Sequence, residues 1–291
     1  MNSSEYLLRL VVNIISLIIL VSGVILALIS RKLPINPFLG FRIGYVYISR
    51  NIWIKMNKLA GVVFAFLGAI FLVMPYIIDA LVTLILMLFS IIAVTMILIE
   101  YASKIAELEL IKLPAKERAT KLERIEPLYP SIPIIALLVV SISIFLYSLI
   151  VLYPQLPEVV AVHFSLSGAP DRYGSKIELL AASIAGPALF YTLLAYFTYL
   201  GVKRPEAFYK PWLKPIEVRR YALSLITALA LGSIIVTIAI YDAIYYNLTN
   251  THVVPLLPTT TVMILALLVI IAYMLLVIVK AYRRSRYVKI P

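Results

Sequence analysis

The chain has 291 residues, of which 63% are hydrophobic and 14% charged, with a formal charge of +12. A soluble domain of this length needs far more polar surface, so an ordinary soluble protein is excluded. The absence of cysteine excludes disulfides, thiolate metal sites and a cysteine nucleophile, and two histidines exclude a three-histidine zinc centre.

Several apolar runs exceed the roughly 18–20 residues that cross a bilayer. They are continuous rather than alternating, which excludes a membrane β-barrel. The expected fold is therefore all-α: a polytopic membrane protein of seven transmembrane helices. The first run, 6–30, follows a start without basic residues and reads as a true span rather than a signal peptide. Spans 59–77 and 80–103 form a tight pair joined by a turn at Pro75–Asp79. The remaining spans are 134–153, 179–201, 221–244 and 259–280. Three spans fall in 1–126 and four in 127–291.

Orientation follows from lysine and arginine. Segments 31–58, 104–130, 202–220 and 280–291 hold twenty-three of the twenty-six basic residues. Basic loops face the cytoplasm. Seven spans with the amino end outside and the carboxyl end inside satisfy that alternation throughout. The positive charge thus marks cytoplasmic loops and membrane lipids as partners, not direct nucleic-acid binding. The plasma membrane is the expected location. Scarcity of cysteine and glutamine fits a thermophile.

In the first basic loop, Asn36-Pro37 favours a turn and Gly40 and Gly44 flank Arg42. Ser49 is a plausible cap for a helix running into the second span, and Trp53 suits the headgroup level. The loop reads either as a lipid-binding connector or as a site where Arg42 meets an anionic partner. That partner would be a lipid phosphate, a helix carboxyl end or a glutamate from elsewhere. The second basic loop mixes signs, and Pro114 is expected to open a short helix over 115–124. The third, with Pro205, Pro211, Pro215, Phe208, Tyr209 and Trp212, reads as a membrane-skimming connector.

The outer loop, 154–178, differs in kind. Val159–Phe164 is β-branched and aromatic and predicts a strand. Ser167–Asp171 is a turn cluster. Asn250–Val254 also reads as strand-like and carries His252, so both histidines are expected in outer loops that lie near each other. They are either a two-histidine site or two ordinary loop residues. Asn247-Leu248-Thr249 forms a glycosylation sequon. Within the spans, Glu100 is expected to pair with Lys104 at i,i+4, Asp242 with Arg172 or Lys176, and Glu178 suits a helix amino end. Deep polar groups such as Ser16, Ser141 and Thr237 read as packing contacts. No ionisable group is expected at mid-depth, which disfavours an ion-coupled carrier. Catalytic signatures are also missing: the sequence has neither His-Glu-x-x-His nor Gly-x-Ser-x-Gly. No cofactor or metal is expected.

The outer loop resembles a bacterial and archaeal membrane domain of unknown function, through Leu156, Pro157, His163, Phe164, Gly168, Pro170, Asp171, Gly174, Ser175 and Lys176. The first basic loop is similar to the toxin-immunity family of the Bacillus Sdp system, through Asn36, Gly40, Arg42, Trp53, Asn57 and Gly61. The resemblance implies a non-enzymatic membrane receptor that confers immunity to a secreted peptide or protein toxin and sequesters a cytoplasmic regulator. Its recognition element would be His163, Gly168, Pro170, Asp171, Arg172 and Lys176. Its inner site would be Asn36, Gly40, Arg42 and Trp53. The competing class is a small-solute or lipid transporter or channel.

Overall fold

The computed structural model describes residues 3–112, 125–165 and 167–287. Among the described residues, seven helices are long and apolar enough to cross a membrane: 5–29, 50–76, 80–111, 132–155, 176–203, 215–249 and 264–285. The described residues also hold a two-stranded antiparallel sheet. The short helix expected over 115–124 lies outside the described residues. The chain forms two compact units, Met1–Glu126 with Arg204–Val218 and Arg284–Pro291, and Pro127–Lys203 with Arg219–Arg283.

In the first unit, α1 (Ser3–Ile29) and α2 (Arg50–Val73) run antiparallel. Lipid offers no hydrophobic force between helices, so close backbone packing must join them. Glycine supplies it. A Cβ on Gly23 would stand 2.4 Å from Ala65 N, one on Gly61 2.4 Å from Ala27 N, and one on Gly68 2.5 Å from Leu20 N. A 3₁₀ turn, Met74–Tyr76, then leads to α3 (Ala80–Ile111). Asp79 caps α3 by accepting from Leu81 N and Val82 N at 2.8 and 3.1 Å. Ser49 caps α2 by accepting from Ile52 N at 3.1 Å, as its position before the apolar run predicted.

In the second unit, α4 (Ile132–Tyr147) continues through a widened turn, Ser148–Leu152, and a 3₁₀ turn, Tyr153–Gln155. Next come β1 (Val159–Phe164), β2 (Pro170–Ser175), α5 (Lys176–Lys203), α6 (Pro215–Thr249) and α7 (Leu256–Tyr287). The last turns of α7 and the first turn of α6 belong to the first unit. Leu194, Ile226 and Ala230 form one apolar core with Ile134, Leu137 and Leu138. Leu152, Leu156, Val160, Leu179 and Ile244 form another, beneath the hairpin. Between α4, α5 and α6 the hydroxyls of Ser141, Tyr191 and Thr237 close a triangle with sides of 2.9, 3.1 and 3.1 Å. Each can donate to the next, so three polar groups in apolar surroundings satisfy one another.

The predicted strand Val159–Phe164 is present. Val159 pairs with Ser175, Val160 with Gly174 and Ala161 with Tyr173, and bulges then flank His163. Asn250–Val254, by contrast, is not a strand. Asn250 adopts φ 58°, and Asp242 takes the amides of Val253 and Val254 at 2.8 and 3.4 Å. Those N–H groups are committed to a carboxylate instead of a ladder.

Candidate functional site

The hairpin presents the expected recognition residues, each held by a definite partner. His163 and Asp171 face one another across the bulge, Nδ1 to Oδ1 at 2.5 Å, with both side chains largely exposed. Pro170 sits opposite Phe164. Arg172 reaches Glu178 in the first turn of α5 at 2.6 Å. Lys176 donates to the carbonyls of Pro154 and Leu156 at 3.3 and 2.9 Å and lies 5.2 Å from the centre of the Tyr153 ring. It thus closes the base of the hairpin against the end of α4.

Two further residues, from the end of α6 and the connector after it, tie the hairpin down. Asn247 Oδ1 accepts from Ala161 N at 2.7 Å, while its Nδ2 donates to Ala161 O and Ala243 O, both at 2.9 Å. The side chain occupies the edge of β1 as a third strand's peptide group would. Both Nδ2 hydrogens are committed, so the folded sequon offers no free amide to a glycan. His252 reaches the hairpin tip, with Nε2 2.7 Å from Gly168 O and Nδ1 2.6 Å from Asp242 Oδ2. Gly168 has φ 89°, a conformation that favours glycine, and a Cβ there would stand in a tight 3.1 Å contact with His252 Nε2.

Asp242 is therefore the partner of His252, not of Arg172 or Lys176. The two histidines each have their own aspartate, and among the described residues no group of three or more His, Cys, Asp or Glu could hold a metal. Burial pulls the His252 imidazole down, but its bond to Gly168 and the bond and charge of Asp242 outweigh this and raise it above the ordinary histidine value.

The loop before α2 is organised around Asn57, which is fully buried. Its Oδ1 accepts from Phe41 N at 2.7 Å and its Nδ2 donates to Trp53 O at 2.8 Å. Gly40, at φ 95°, passes so close that a Cβ would lie 2.1 Å from Asn57 Oδ1. Asn36 shapes the preceding turn, accepting from Phe38 N and Leu39 N at 2.8 and 2.7 Å. The Arg42 guanidinium donates to Pro37 O in its own loop, so neither a lipid phosphate nor a distant glutamate is needed to explain it. Trp53 is fully buried, donates from Nε1 to Leu33 O at 3.0 Å and stacks on Tyr47 at 5.5 Å. Arg50 secures the same turn through the carbonyls of Leu33 and Arg31.

The 204–218 segment packs onto this loop. Phe208 and Trp212 are buried, and Trp212 meets Tyr47 edge-on at 5.2 Å. A Cβ on Gly44 would fall 1.9 Å from Glu206 O. Tyr45 donates to Glu206 Oε1 at 3.3 Å, and burial followed by that carboxylate raises its phenol well above its ordinary value. Lys210, also buried, donates to Arg42 O at 3.1 Å and lies 5.4 Å from the Tyr47 ring centre. Burial, then the charge of Arg42, lowers Lys210 to about 7. Glu100 pairs with Arg204 at 2.8 Å and not with Lys104, because the arginine arrives from beyond α5 with Ser103 as a second acceptor at 3.3 Å.

Sequence reasoning missed Asn247, Asp242 and Lys210 as organising residues. A carboxylate near the end of an apolar span, ten residues before a histidine, was the available signal for the Asp242–His252 pair.

These features define a multi-pass α-helical membrane protein with a structured hairpin between its fourth and fifth spans. Residues 32–101, covering the Asn57-centred loop, α2 and much of α3, match the SdpI/YfhL protein family. Residues 138–186, covering most of α4, the hairpin and the start of α5, match a domain of unknown function, DUF1648. No curated protein and no solved structure matches the chain.

Proposed function

We propose that this chain is a non-enzymatic, immunity-like protein of the cell membrane. The match of residues 32–101 to the SdpI/YfhL family carries the reading. The hairpin is its recognition element toward a secreted peptide or protein toxin. His163 and Asp171 form an exposed polar pair there, with Tyr173 exposed beside them. The loop from Asn36 to Lys58, braced by 204–218, is its transmitting element toward a cytoplasmic regulator. The Ser141–Tyr191–Thr237 triangle supports this over the transporter reading, since its hydroxyls spend their hydrogen bonds on one another, as packing contacts do.

The test is resistance. Expression in a toxin-sensitive strain should raise survival, and His163→Ala or Arg42→Ala should lower it at unchanged membrane abundance. Full protection by both variants, or no protection by the parent against any secreted toxin of neighbouring species, overturns the reading.

A further inference from the structure

We propose that His252 is a proton-operated latch that holds the tip of the β1–β2 hairpin to the end of α6. Both ring nitrogens of His252 meet groups that only accept, Asp242 Oδ2 and Gly168 O. A neutral imidazole carries one N–H and can serve one of them; only the imidazolium serves both. The latched geometry therefore defines a charged histidine.

The surroundings favour that charge. Asp242 is 1% exposed, and its other oxygen is taken by the amides of Val253 and Val254. A buried carboxylate without a cation is costly, so the imidazolium completes it. The Tyr246 and Phe164 ring centres lie 4.6 and 5.4 Å from that of His252, within the distance over which aromatic rings and cations interact. From α6, Asp242 and Tyr246 are the titratable groups facing His252. From the hairpin, the Gly168 carbonyl and the Phe164 ring face it, and the nearby ionisable side chains are engaged with one another as His163–Asp171 and Arg172–Glu178.

The direction of the response follows. Contact with Asp242 and Gly168 raises the latched histidine above its ordinary 6.5. The latch is complete below that ordinary value and is lost as pH rises through the raised one. Deprotonation leaves one N–H, which stays on the charged Asp242, and the bond to Gly168 is lost. The Asn247–Ala161 tie is not titratable, so opening is confined to the tip. The latch does not depend on what the hairpin recognises.

The chain has two histidines, so His163→Ala leaves His252 as a single imidazole signal. In nanodiscs, nitrogen-15 histidine spectra of that variant should show both ring nitrogens protonated at pH 6, with one titration above 6.5. Hydrogen exchange at Gly168–Asp171, corrected for intrinsic rate, should lose roughly ten- to hundred-fold protection over the same range. His252→Gln should abolish the pH response, and Asp242→Asn should move the imidazole titration down. A neutral tautomer at pH 6, a tip whose protection ignores pH, or a response that survives His252→Gln overturns the proposal. The spectra use a chain with the latch residues intact, so misfolding of the other variants does not obscure the outcome.

Discussion

Replacing Asn247 tests whether one side chain anchors the hairpin. In Asn247→Ala the backbone N–H and C=O of Ala161 both lose their partner, and Ala161 is fully buried. A buried polar group left without a hydrogen bond costs about 1–3 kcal/mol. Two such groups give roughly 2–6 kcal/mol, and partial water entry beside the half-buried Asn247 holds the expectation near 2–4 kcal/mol. At about 1.4 kcal/mol per decade, local opening becomes on the order of 30- to 1,000-fold more frequent. Hydrogen exchange of the Ala161 amide reads this directly. Asn247→Asp keeps the acceptor for Ala161 N but sets a negative oxygen against the carbonyls of Ala161 and Ala243. It should therefore open the hairpin at neutral pH and partly restore it when acid protonates the new carboxyl. Thr249→Ala removes the sequon but not the amide and should leave exchange unchanged. If Asn247→Ala exchanges like the parent, the anchoring argument is wrong.

Other perturbations address the first unit. Gly61→Leu places carbon against the backbone of Ala27 and Gly23 and should prevent the close α1–α2 contact, seen as loss of monodisperse folded protein in detergent. Gly40→Ala meets both a positive φ and Asn57 Oδ1 and should lower stability by about 1–3 kcal/mol in thermal unfolding. Lys210 tests linkage. A lysine lowered from 10.5 to about 7 binds fewer protons folded than unfolded between those values, so stability should rise with pH across that window. The full drop corresponds to at most roughly 5 kcal/mol. Lys210→Met should flatten the dependence and be the more stable protein at pH 6; an unchanged slope would sink the assignment. Arg204→Met with Glu100→Gln should show coupling below about 1 kcal/mol in a double-mutant cycle, because both side chains are about a third exposed.

The hairpin strand was readable because Val159–Phe164 is dense in β-branched and aromatic residues and is bounded by turn formers. Asn250–Val254 has similar residues but forms no strand, since Asp242 claims two of its amides from eleven and twelve residues upstream. Composition does not record such a commitment. Trp53 and Trp212 carry the same aromatic signature as interfacial anchors, yet both are buried, one stacked on Tyr47 and the other edge-on to it. The Arg42 partner was unreadable for a different reason. Its acceptor is a main-chain carbonyl, and backbone groups have no sequence signature.

By itself the sequence determined that this is a seven-span helical membrane protein with a small hairpin. Span length and continuous apolarity are local properties, imposed by bilayer thickness and by the need to satisfy backbone hydrogen bonds within each segment. It also supplied the glycines, whose need for positive φ or close approach is written in residue type. Only the tertiary structure decided the pairings: Asp242 with His252, Asn247 with Ala161, Glu100 with Arg204 and Lys210 with the Arg42 carbonyl. It also joined 204–218 to the first unit, across the intervening spans. These contacts link residues from 10 to 168 positions apart. Which of several chemically equivalent partners meets is set by how the helices pack, and periodicity carries no information about that.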